Sequence, residues 1–301
     1  MRQSQRASYA HRIKRALDHL VERLTVGESP DLQELADQAA LSAYHFHHIF
    51  RLMTGETVGE VATRLRLASS VSRLEAGDTV TQAAAASGYA TSQSYARALH
   101  KHSGSSATAL RSEPKALREL KARLRVSANQ SAEGKTPFPI ALEITTTEPL
   151  RLLAIRNIGD YAELNTTYTT LFDAVLKLVS PDHVRGIYGI PYDDPMSVAA
   201  DDCRCDCGLD TAGTGQPDGP LTELILPGGT CARIRHQGNY DAAYLTIDLA
   251  YSQIFKEREW TFADQPVFIH YLDDPEEVSE AELEANVFIP LLRTPAPGET
   301  L

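Results

Sequence analysis

What the chain lacks narrows it first. None of its apolar runs approaches the roughly 18 residues that a membrane-crossing helix needs. The opening Met-Arg-Gln-Ser-Gln-Arg has no apolar core of the kind a signal peptide carries. Cysteine is scarce. Of four, three crowd together at 203, 205 and 207, which is not a secreted disulfide framework. No nucleophile–histidine–carboxylate set stands out. These absences point away from membrane and secreted classes and from triad catalysis, and the expected compartment is the cytoplasm.

What is present is ordinary in amount and uneven in placement. Apolar residues make up 43% and charged residues 23%, as in folded globular domains, and 301 residues suit two of them. The net charge of −11 hides a split. Residues 1–126 hold 18 Lys and Arg against 12 Asp and Glu; residues 127–301 hold 11 against 28. A basic half joined to an acidic half is expected of a nucleic-acid-binding domain fused to a domain with another task.

The basic half reads as helices with start signals. Ile13, Leu17, Leu20, Val21 and Leu24 recur at helical spacing. Asp31 with Glu34, Thr57 with Glu60, and Thr79 with Gln82 are capping-box pairs. Ser42 caps a helix over 43–53 that turns Phe46, Ile49 and Phe50 inward and leaves Tyr44, His47, His48 and Arg51 outside. Gly88 stops a run of small residues, and Thr91 caps a new helix exposing Gln93, Ser94, Arg97 and Lys101. Helix, tight turn and a second helix bearing Gln and Arg is a DNA-reading unit, and it occurs twice. His45 and His47 diverge on a helix, so no metal site is expected there.

The run Ala40-Leu-Ser-Ala-Tyr-His-Phe-His-His-Ile-Phe-Arg-Leu-Met-Thr-Gly-Glu56, the later Ser87-Gly-Tyr-Ala-Thr-Ser-Gln-Ser-Tyr-Ala-Arg-Ala-Leu99, and Gly104 to Arg111 resemble AraC/XylS-type transcription regulators. Leu99, Ala107 and Leu110 stand where that family usually has Phe, Pro and Tyr. The resemblance implies two helix-turn-helix units joined by a long helix. It puts Tyr44, His47, His48 and Arg51 on one recognition helix and Gln93, Ser94, Arg97 and Lys101 on the other. Gln pairs with adenine and Arg with guanine, while Ser42 and Thr91 can donate to phosphate.

A helix over 114–126 precedes a small, polar stretch at 127–137 that reads as a linker. The acidic half then alternates strand, helix and strand. Arg156-Asn-Ile-Gly-Asp-Tyr161 returns as Arg235-His-Gln-Gly-Asn-Tyr240, so the domain reads as two β-α-β-β repeats about eighty residues apart, an α+β fold. The two Gly-x-Tyr turns, Gly186-Ile-Tyr with Asp193-Asp-Pro195, Phe268-Ile-His-Tyr-Leu-Asp-Asp-Pro275 and Val287-Phe-Ile-Pro-Leu291 resemble the GyrI-like effector-binding domain. That resemblance implies a groove between the repeats for small aromatic or cationic molecules. Alternation sends Glu284, Asn286 and Phe288 to one strand face, and Tyr161, Tyr168, Tyr188 and Trp260 are the candidate aromatic walls. The family often has an acidic residue near position 286; here it is Asn286. The three clustered cysteines fit either thiols packed in the fold or, with Cys231, a metal or redox group.

The expected architecture is a DNA-binding domain over 1–126, a linker over 127–137 and an effector domain over 138–295. The expected function is a ligand-responsive transcription regulator and not an enzyme. Its expected partners are double-stranded DNA and a small-molecule effector, with RNA polymerase as a further candidate, and no cofactor or metal is called for. Two other readings stay open: a sequestering protein with weakened DNA binding, and a hydrolase with a groove carboxylate.

Overall fold

The computed structural model describes residues 5–125, 141–257 and 259–294. The expected linker over 127–137 lies outside them. Contacts divide the chain into one compact unit over Ala7–Thr136 and another containing Pro137–Leu301.

The first unit is all helix: α1 (Gln5–Thr25), α2 (Leu32–Ala39), α3 (Ala43–Thr54), α4 (Val58–Glu75), α5 (Val80–Ala86), α6 (Ser92–Ser103), α7 (Ala107–Ser112) and α8 (Pro114–Arg125). Side-chain caps set the starts. Asp31, Ser42, Thr57, Thr79, Thr91 and Ser106 each accept a backbone N–H of the first turn. The turn between α2 and α3 is made by Ala40 in the left-handed region (φ 52°), whereas Gly88 (φ 75°) serves between α5 and α6. Leu35, Phe46, Ile49 and Phe50 are buried in the first helix-turn-helix. The second packs Leu67, Val71, Tyr95, Leu99, Leu110, Leu117, Leu120 and Leu124 into one cluster. Leu99, Ala107 and Leu110 thus fill the positions where the family's larger residues were expected. The long helix α4 links the two units. At its start Arg64 grips Glu56 with Nε and Nη2 at 2.7–3.0 Å and donates to the Leu124 carbonyl at 2.9 Å, holding α8 alongside.

The second unit is a curled, nine-stranded antiparallel sheet in the order β1-β6-β9-β8-β3-β4-β2-β5, with β7 on the far end of β9. The strands are β1 (Leu142–Thr147), β2 (Leu150–Ile158), β3 (Gly186–Pro191), β4 (Arg204–Asp210), β5 (Thr222–Leu226), β6 (Gly229–Gln237), β7 (Trp260–Phe262), β8 (Phe268–Tyr271) and β9 (Glu284–Arg293). Helices α9 (Leu164–Val175) and α10 (Ala243–Ile254) follow β2 and β6. The duplication is β2-α9-β3-β4 followed by β6-α10-β8-β9, as the repeated motif predicted; β1, β5 and β7 lie outside it. The repeats agree in their latches. Tyr161 Oη donates toward the Asp193 and Arg204 carbonyls at 2.9 and 2.7 Å, and Tyr240 Oη toward those of Asp273 and Glu284 at 3.1 and 2.8 Å. No described helix is long and apolar enough to cross a membrane.

Candidate functional site

Helix α6 presents a polar edge. Tyr95 and Leu99 are buried, so the opposite edge carries Gln93, Arg97 and Lys101, spaced by four and all exposed. Ser94 has a different place from the one read in the sequence. Its hydroxyl donates to the Thr91 carbonyl at 2.8 Å, and its N–H donates to Thr91 Oγ1 at 3.0 Å. Thr91 and Ser94 form a capping box, so both hydroxyls are spent on starting the helix. Ser42 likewise takes the His45 N–H at 3.4 Å.

Helix α3 departs from the sequence reading. Tyr44, His47 and His48 are not exposed as expected; they are only 7%, 3% and 3% exposed. Their rings pack on one another, with Tyr44 5.0 Å from His48 and His47 3.9 Å from His48 between centroids. Residues three and four apart on a helix are neighbours, and flat rings there bury mutual apolar area. Burial drives the His48 pKa well below its ordinary 6.5, with Arg51 and His45 adding to the shift. Arg51 is half-buried.

The second constellation lies on the sheet face away from α9 and α10. Residues paired across an antiparallel ladder share a face. Phe288 pairs with Phe268, Asn286 with His270, and His270 with Tyr188. Tyr188 and His270 stack at 4.5 Å and 10°, and Phe268 and Phe288 at 4.7 Å and 9°. The sheet's curl brings Leu226 and Cys231, from strands near opposite ends of the order, into one cluster with Leu152, Ile190 and Phe268. The result is an apolar trough with aromatic walls. Gly186 makes room for it, because a Cβ there would lie 2.8 Å from the Tyr188 ring and 3.0 Å from His270 Nε2. Partial burial lowers the His270 pKa and raises that of Tyr188, so both rings are uncharged near neutrality.

The polar fringe of the trough is paired. Arg156 grips Asp206 through Nε and, at 2.8 Å, Nη2; its guanidinium also lies 4.4 Å from the Tyr192 ring centre. Tyr192 Oη donates to Asp206 Oδ2 at 2.9 Å. Glu284 accepts from Arg235 at 3.0 Å. The sequence reading missed Phe268, His270, Tyr192, Asp206 and Arg156. The signal was there: Asp206 lies one repeat before Asn286, and period two along Phe268-Ile-His270 selects the same face.

Of the expected ligand residues, Tyr188, Asn286 and Phe288 come together on the trough with Glu284 at its fringe. Three do not. Tyr161 is a latch at the end of the first repeat. Tyr168 sits on the helix side, half-buried beside Tyr271 and donating to the Tyr188 carbonyl at 2.8 Å. Trp260 lines a separate cavity of about 180 Å³ with Leu142, Ile144 and Ile254.

Cys205 and Cys207 face the helices, while Cys231 packs in the trough, four strands away along the sheet. Among the described residues, no group of three or more His, Cys, Asp or Glu is placed to hold a metal ion. All four thiols are free and buried, and burial pushes Cys203 up to about 11.

A helix-turn-helix region with an exposed polar edge, followed by a duplicated α+β domain with an aromatic trough, defines a two-part regulator class. Residues 141–292 match the GyrI-like small molecule binding domain, and residues 35–113 match a helix-turn-helix domain family of AraC type. The chain belongs to the GyrI-like family and carries an AraC-type helix-turn-helix region before that domain. It is 30% identical over 120 residues to the probable transcriptional regulator YgiV of Escherichia coli O157:H7, spanning 38% of this chain and 71% of that protein. Among solved structures it is similar to the EcmrR–DNA complex in EcmrR-RPo, at 13% identity and a TM-score of 0.44, covering 66% of this chain and 77% of that one. It is also similar to a hydrolase from Listeria innocua encoded by lin2189, at 12% identity and a TM-score of 0.39, covering 55% and 96%.

Proposed function

We propose that the chain is a ligand-responsive transcription regulator whose helical region reads double-stranded DNA and whose trough binds a small aromatic or cationic molecule. The observation that carries the DNA half is the exposed row Gln93, Arg97 and Lys101 on a helix started by a capping box. Gln93 and Arg97 have the donors and acceptors that distinguish adenine and guanine in the major groove, and Lys101 suits phosphate. The ligand shifts DNA binding by favouring one of two arrangements of the protein. The probable regulator YgiV supports this reading, and RNA polymerase is a partner such a regulator would engage. A selection from random duplex DNA at fixed salt tests it. Arg97→Ala should relax the base preference at one position of the selected site, and an unchanged preference sinks the assignment.

A second reading is favoured by the buried rings of α3. With Tyr44, His47 and His48 withdrawn, the first unit offers little to read with, and the protein would bind its ligand without sequence-specific DNA work. Wild type that selects no sequence from the same pool, while retaining ligand, favours this reading. An enzyme would need a free groove carboxylate; Asp206 and Glu284 are held by arginines, and Asp210 accepts the Ala212 N–H.

A further inference from the structure

Two repeats should offer similar faces to the trough, and these do not. In the first, Arg156, Tyr192 and Asp206 form one constellation. One repeat later the matching positions carry Arg235, Leu272 and Asn286. The ring is gone, the carboxylate is an amide, and Arg235 turns to Glu284 at the fringe. A carboxylate set against an aromatic ring is the chemistry that recognises an organic cation. In the first repeat that chemistry exists, with Asp206 only 5% exposed, but the chain's own guanidinium fills it. A tethered partner competes at a high effective concentration, so a free cation of similar strength loses. The other rings and the amide on this face, Tyr188, His270, Phe268, Phe288 and Asn286, are uncharged, and Arg233, opposite Phe288, is held by Glu143. Asp210, opposite Gly186, accepts the Ala212 N–H at 2.8 Å with one oxygen and places its charge beside the Tyr188–His270 stack, so it is the carboxylate from which Asp206 must be told apart.

We propose that Arg156 is a built-in cation occupying the Tyr192–Asp206 site, so that the trough refuses organic cations and takes uncharged aromatic molecules. This rests on the trough being the ligand site. The test uses two probes of nearly identical shape, phenyltrimethylammonium and the uncharged tert-butylbenzene, titrated into the full chain and followed by ligand-observed NMR. Wild type should prefer tert-butylbenzene. Arg156→Gln should gain affinity for the cation by about tenfold or more, the size of an uncovered cation–ring–carboxylate contact, with the neutral probe nearly unchanged. Arg156→Lys keeps the charge and should behave as wild type. Arg156→Gln combined with Asp206→Asn should lose the gain, which separates Asp206 from Asp210. A wild type that prefers the cation, or a gain that survives Asp206→Asn, overturns the proposal; the wild-type ordering alone decides if Arg156→Gln fails to fold. If the neutral probe binds both proteins and the cation gains nothing, this inference falls alone. If neither probe binds either protein, the trough reading falls and takes the inference with it.

Discussion

At the scale of single residues, identity and environment disagree most on α3. Histidine and tyrosine are polar enough that helical periodicity sends them outward, yet Tyr44, His47 and His48 are buried with their rings packed on one another. This has a consequence for pH. Burial lowers the His48 pKa, so the unfolded chain binds a proton that the folded chain refuses. Stability from this residue is therefore complete above its ordinary pKa of 6.5 and is lost as pH falls from there toward the folded value. His48→Asn should flatten the acid-side decline in the thermal midpoint of the helical region, measured by circular dichroism from neutral to mildly acidic pH. Identical slopes for variant and wild type would mean that His48 is solvated in solution. Glycine 186 is the opposite case, an unremarked residue that the site depends on. Gly186→Ala would press a methyl into the Tyr188–His270 stack and should weaken binding of any ligand that stacks there, read by the same titrations as above.

At the scale of elements, the sequence was legible wherever a local signal names its own structure. Helix starts were readable because Thr, Ser and Asp caps act within three residues, and the repeat was readable because Arg-x-x-Gly-x-Tyr recurs intact. The lining of the trough was only half readable. Alternation along β9 yields Asn286 and Phe288, but Asp206, Arg156 and Tyr192 meet through strand pairing and a turn beyond β3 that no local pattern announces. Nor does period two say which face the helices cover, and that is why Trp260 joined the expected walls, while Tyr168 sits on α9, where strand alternation says nothing. The two helix-turn-helix units also differ at an element boundary. Ala40 holds a left-handed conformation that costs a side-chain-bearing residue roughly 1 kcal/mol, where the second unit has Gly88. Ala40→Gly should therefore stabilise the helical region by a few tenths to about 1 kcal/mol, against the usual sign for glycine; a lower denaturant midpoint would refute it. The tyrosine latches predict the reverse. Tyr161→Phe and Tyr240→Phe each remove a hydroxyl that ties a turn to two strand ends, and each should cost about 1 kcal/mol.

At the scale of the whole molecule, the split in charge decides how the protein meets DNA. The second half carries 28 acidic residues against 11 basic ones, so the chain as a whole is repelled by phosphate. Attraction has to come from a small patch, and α6 supplies it with Arg97 and Lys101 exposed on one edge. The two residues should then separate in their salt dependence. If Lys101 contacts a phosphate, Lys101→Ala removes one released counterion. It should weaken binding to all sequences alike and reduce the slope of log affinity against log salt by about one. If Arg97 reads a base edge, Arg97→Ala should cost about 1–3 kcal/mol on the selected site and far less on random duplex, with the discrimination lost at one base pair. Measuring both variants on both duplexes across a salt series distinguishes a reading helix from a merely basic one. Parallel losses on specific and random DNA for Arg97→Ala would reduce α6 to an electrostatic contact and shift the balance toward a ligand-binding protein without an operator.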